Sequence, residues 1–188
     1  MYTFGPMLRS KELFVGAMGF CLAVSAFGMQ ALAEPDQVPT LDKLTGSYKY
    51  AGDRTKEEAA VKVSSDTATA GMGRMTLKRA LPRLQASTRI PESLTITLQG
   101  DQITFKMDDH SVTVPKDGSS ASAKTAFGET ADVSFDTKTA TLRQSVAKTG
   151  GVKTNTFRFN EAGQLVMRVH VTNSKLAAPV TFSPHYTK

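Results

Sequence analysis

The sequence predicts a mainly β protein: an up-and-down antiparallel β-barrel of about ten strands with a helical pair between strands one and two. Two observations and one physical argument carry that prediction. From Ser93 onward, apolar and polar residues alternate with period two, and turn residues break the alternation at short intervals. Only one strand-like run, "LDKLTGSYKYAGD", stands before a helical segment. A long antiparallel meander hides its edges by closing on itself.

The elements follow in chain order. Arg9 and Lys11 precede the apolar run "LFVGAMGFCLAVSAFGMQALA", which ends in small residues at Ala31 and Ala33. That is the pattern of a secretory signal peptide over residues 1–33, cleaved after Ala33, leaving residues 34–188 as one domain. Cleavage removes Cys21, the single cysteine, so the exported domain has no disulfide. It also removes Arg9, Lys11 and Glu12, which lowers the formal charge of +6 to about +5. Localisation is therefore expected to be periplasmic or secreted, and export argues against a cytoplasmic nucleic-acid role for this basicity.

A first strand is expected near 43–51, ending at Gly52-Asp53. Thr55 followed by Glu58 reads as a capping box opening a helix, and Gly71 and Gly73 bracket a break. A second helix runs from about Met72 to Leu84 with Leu77, Ala80, Leu81 and Leu84 on one stripe, and Pro82 is expected to kink or end it. Nine strand runs follow: "SLTITLQ", "QITFKMD", "HSVTVP", "ASAKTAF", "TADVSFD", "ATLRQSV", "KTNTFRF", "QLVMRVHV" and "VTFSPHY". Ten strands make a barrel wide enough for an interior cavity unless large side chains fill it.

This order, with "TGSYKYAG" and "IPESLTITLQGDQITFKM", resembles the intracellular lipid-binding (fatty-acid-binding) branch of the calycins. The first stretch is similar to that family's opening G-x-W-K-L, with Tyr48 in place of the tryptophan. The second is similar to its P-x-x-x-I-x-x-x-G-D-x-I-T-I-K run. The resemblance implies a lipid-like ligand inside a barrel lidded by the helices, and places Arg158 at one of the family's ligand-binding arginines. The sequence departs from the family in its longer helical segment, in its export, and in Pro184 standing where the last-strand Arg-x-Tyr clamp would have its arginine.

Chemistry beyond binding is sparse. There is no G-x-S-x-G, H-E-x-x-H or P-loop pattern, so no catalytic residue, metal or cofactor is expected. Asp108-Asp109-His110 reads as a hairpin turn rather than a metal site. Parity in "TNTFRFNEAGQLVMRVHV" sets Arg158 against Phe157 and Phe159, and Arg168 with His170 against Met167 and Val169. Register decides whether either arginine faces inward as an anion anchor.

Between Asp66 and Glu92 there is no acid, while Arg74, Lys78, Arg79, Arg83 and Arg89 are all basic. They form the candidate surface for an anionic membrane, on the solvated side of a helix that closes the barrel mouth. The expected function is a monomeric, non-catalytic, lipocalin-like binding protein for a small apolar or amphipathic ligand, with no nucleic acid. Candidate contacts are Met72, Met75, Leu77, Leu81, Phe105, Met107, Val133, Phe135, Leu142, Met167, Val169 and Phe182, with Arg158 or Arg168 as anchor. The alternative is a filled barrel that docks an envelope partner or an anionic surface through its basic helices.

Overall fold

The structure, a computed structural model of the chain, describes residues 38–188. The expected signal segment and its cleavage point at Ala33 lie outside the described residues.

The chain enters through a single helical turn, α1 (Leu41–Leu44), where the strand was expected to have begun. Leu44 is buried, and Gly46 takes φ +145°, a conformation costly for any side chain, as the turn gives way to strand β1 (Gly46–Tyr50). Tyr48 explains the turn: its buried hydroxyl donates to the Leu44 carbonyl at 2.9 Å, satisfying an acceptor at the end of α1.

Helix α2 (Arg54–Ala68) is capped by Asp53, whose carboxylate accepts from the Lys56 amide at 3.1 Å. The cap therefore lies two residues before the expected Thr55, because Asp is a stronger cap than Thr and stands where the strand ends. The Thr181 amide donates to Ser64 Oγ at 3.1 Å and the Ala177 amide to the Ala68 carbonyl at 2.8 Å, which tie α2 to the end of the sheet. Helix α3 (Arg74–Thr88) starts two residues after Met72 and continues through Pro82 instead of ending there. Pro82 and Lys78 are both exposed, so the carbonyl that loses its donor faces water.

The strands are β2 (Ser93–Gln99), β3 (Gln102–Met107), β4 (His110–Pro115), β5 (Ala121–Lys124), β6 (Thr130–Asp136), β7 (Thr141–Val146), β8 (Gly151–Phe159), β9 (Leu165–Thr172), β10 (Val180–Phe182) and β11 (His185–Thr187). The last two are one strand interrupted at Pro184. Phe182 faces Val169 and His185 faces Val166, so the register against β9 runs straight through, and the Met167 amide still finds the Pro184 carbonyl at 3.0 Å. The antiparallel order is β4-β3-β2-β1-β11-β9-β8-β7-β6-β5, with β10 also on β9. No ladder joins β4 to β5 among the described residues, but the two lie side by side, so the barrel is closed except along that seam. This is the mainly β, helix-lidded barrel that the alternation and the resemblance implied.

Rings from three strands fill the barrel's middle. Phe105 of β3 lies 5.0 Å from Phe135 of β6 and 5.6 Å from Phe157 of β8, centroid to centroid, all three buried. Aromatic rings at such separations add to the area they bury.

Candidate functional site

Above that aromatic layer the barrel is hollow. A cavity of about 1000 Å³ opens beneath α3, between the turns β3–β4, β5–β6 and β7–β8 and the loop after β9. Its volume lies at the upper end of small-molecule sites.

The lid presents Met72, Met75, Thr76, Arg79, Ala80, Arg83, Leu84 and Ser87 to the cavity, one face of α3 and the residues leading into it. Only Leu84 and Thr88 of this helix are buried, because most of its inner face looks onto open space rather than onto packed strands. Two ion pairs fasten it at the rim. Arg83 reaches Glu129 in the β5–β6 turn at 3.2 Å and lies 5.6 Å from the Phe127 ring, while Arg89 pairs with Asp108 at 3.4 Å. Asp108 takes φ +52° in the β3–β4 turn, and its carboxylate accepts from the Glu92 and Ser93 amides at 2.9 Å. That aspartate thus fixes both the turn and the end of the lid.

The wall below the rim comes from strand parity. On β8, Lys153, Asn155 and Phe157 share the inner face. Lys153 stands directly opposite Gln144 on β7 and Val171 on β9, and all three line the cavity. One layer deeper, Asn155 stands between Leu142 and Val169, fully buried, with neither amide atom hydrogen-bonded among the described residues. Then come Phe157 and Met167, which close the floor.

Lys153 retains some surface of its own, open onto the cavity, yet protein surrounds it and burial pushes its pKa down to about 8. Among the described residues, no hydrogen bond or ion pair holds its ammonium. His110, at the start of β4, also lines the cavity; burial first and the Lys153 charge second lower its pKa. Its Nε2 is buried, away from solvent and cavity alike, with no partner among the described residues. Two basic groups thus line one cavity, and burial makes each less charged than it would be in water.

The sequence-predicted residues divide accordingly. Met72, Met75 and Met107 lie on the cavity. Phe105, Val133, Phe135, Leu142, Met167, Val169 and Phe182 face inward but belong to the packed core, and Leu77 and Leu81 are half-buried and off the cavity wall. Arg158 and Arg168 lie on the outer face, a correction to their candidacy as inward anchors, because the inner positions of β8 and β9 are taken by Phe157, Met167 and Val169. Arg158 donates to the Thr139 and Phe157 carbonyls at 2.8 and 2.6 Å, and Arg168 is exposed. Of the basic surface set, Arg79, Arg83 and Arg89 stand at the rim, whereas Arg74 and Lys78 are exposed away from it. Sequence reasoning missed Lys153 and Gln144. The signal was present, since Lys153 shares parity with Phe157 and Phe159.

Fold and site define a class: an antiparallel barrel with a helical lid over a mixed polar and apolar cavity. No family model matches the chain, and no curated protein does. Among solved structures 58 chains match. One is apo lipid binding protein 8 of Caenorhabditis elegans, which covers 81% of this chain and 99% of its own at 15% identity and TM-score 0.49.

Proposed function

We propose that this chain is an exported, non-catalytic binding protein that holds a small amphipathic, lipid-like ligand in the barrel beneath α3. The cavity of about 1000 Å³ is the observation that carries this reading. Met72, Met75, Ala80, Leu84 and Met107 offer a tail apolar surface, and Gln144 and Lys153 offer a head group polar partners. The filled-barrel alternative suits only the layer of Phe105, Phe135 and Phe157, and the space above that layer favours a carrier. Export rests on the residue pattern of positions 1–33.

Native mass spectrometry tests it, on protein taken from the envelope of an expressing cell without detergent. The expected spectrum carries a discrete added mass that organic extraction removes. Bare protein that also fails to take up 1-anilinonaphthalene-8-sulfonate would overturn the reading.

A further inference from the structure

We propose that Lys153 anchors the acid group of an amphipathic anion that enters the cavity acid end first. This rests on the carrier reading above and adds the charge and the orientation of the ligand.

Charge comes first. Five other cations line the cavity, Arg79, Arg83, Arg89, Lys148 and Lys175, and all lie in the lid, the turns or the loop that form the rim. Arg83 and Arg89 already hold Glu129 and Asp108. Lys153 is within a strand, below the rim, facing Gln144 and Val171, and among the described residues no carboxylate forms an ion pair with it. An ammonium without a counter-ion in such a place destabilises the fold, and an arriving anion offsets that cost with a charge-assisted hydrogen bond.

Orientation follows from what surrounds it. His110 belongs to the same cavity wall and is near enough to feel the Lys153 charge, but its Nε2 is shut off from the open space, so Lys153 is the cation that an acid group meets there. Gln144, directly across the ladder, supplies an amide. Asn155 and Phe157 close the floor beneath. The tail therefore runs back toward the lid, along Met72, Leu84 and Phe127. The anchor positions implied by the family resemblance play no part here: Arg158 is bound to carbonyls on the outer face, and the other position is Pro184.

The test compares dodecanoate with dodecanol by isothermal titration calorimetry on delipidated protein, at one pH near 7, for the native chain, Lys153→Met and Lys153→Arg. The native protein is expected to prefer dodecanoate by about ten- to a hundredfold, the range of a hydrogen bond to a charged group. Lys153→Met should lose that preference while still taking dodecanol, and Lys153→Arg should keep most of it. Acetate should not compete, because the tail supplies the rest of the affinity. Equal binding of acid and alcohol by the native protein overturns the anchor and leaves the carrier standing. So does a preference that survives in Lys153→Met, which would assign it to the rim arginines. Binding of neither probe overturns the carrier reading and the anchor together. Thermal unfolding of Lys153→Met serves as the folding control.

Discussion

Arg83 of α3 and Glu129 of the β5–β6 turn meet at 3.2 Å across the mouth of the cavity, with the Phe127 ring beside the guanidinium. Few other contacts fix this side of the lid, since only Leu84 and Thr88 of α3 are buried. The pair is half-exposed, and such pairs contribute about 0.2–1 kcal/mol. Arg83→Ala or Glu129→Ala is therefore expected to leave the unfolding midpoint nearly unchanged while speeding probe release several-fold. Stopped-flow dissociation of 1-anilinonaphthalene-8-sulfonate measures this, and unchanged rates in both variants would show that α3 does not gate the mouth.

Asn155 is fully buried, and among the described residues its amide oxygen and nitrogen both lack partners. Leaving buried polar atoms unpaired costs about 1–3 kcal/mol. Leucine has similar bulk and would lie among Leu142 and Val169. Asn155→Leu is expected to raise stability by about that amount in guanidinium unfolding. A clear loss would mean that the amide is satisfied in solution.

The strands were legible because alternation and turn chemistry agree over short windows: β2, β6 and their joints lie where "SLTITLQ" and "TADVSFD" put them. The helices were legible as a pair, but their ends depend on which candidate cap wins and on which way Pro82 faces, and neither is local information. The binding site was less legible for a geometric reason. Phe105 and Met107 share one face of β3, two residues apart, yet one packs in the core and the other lines the cavity. Alternation reports the face of a strand, while height along the barrel axis decides whether that face meets side chains or space. Lys153 has the parity of Phe157 on β8, but the arginine that the family resemblance implies, Arg158, has the opposite parity and lies on the outer face.

Phe105 and Met75 make the same point as an experiment, since alternation and helical spacing put both among ligand contacts. Phe105 touches two rings across the barrel and has no exposed surface, whereas Met75 is 72% exposed. Phe105→Ala should cost about 3–5 kcal/mol. Met75→Ala should stay within about 0.5 kcal/mol. Similar losses in the two variants would contradict the division between filled layer and open cavity.

Stability should vary with pH in a way that Lys153 dominates above neutrality. Its folded pKa is about 8, below the ordinary lysine value near 10.4. Between those values the unfolded chain holds a proton that the folded chain has released, so stability rises with pH through that window. Above about pH 10 the sign reverses, because burial raises the pKa of Tyr48, Tyr50 and Tyr186, with that of Tyr50 reaching about 12. The unfolded tyrosines then ionise first, and the unfolded state gains. Below about pH 6.5 the lowered pKa of His110 makes stability fall as pH falls, since the unfolded chain takes up that proton more readily. Guanidinium midpoints measured from pH 6 to 11 should therefore rise after pH 8 and fall beyond 10, and in Lys153→Met the rise should disappear while the fall remains. A rise that persists without the lysine would assign it to another group.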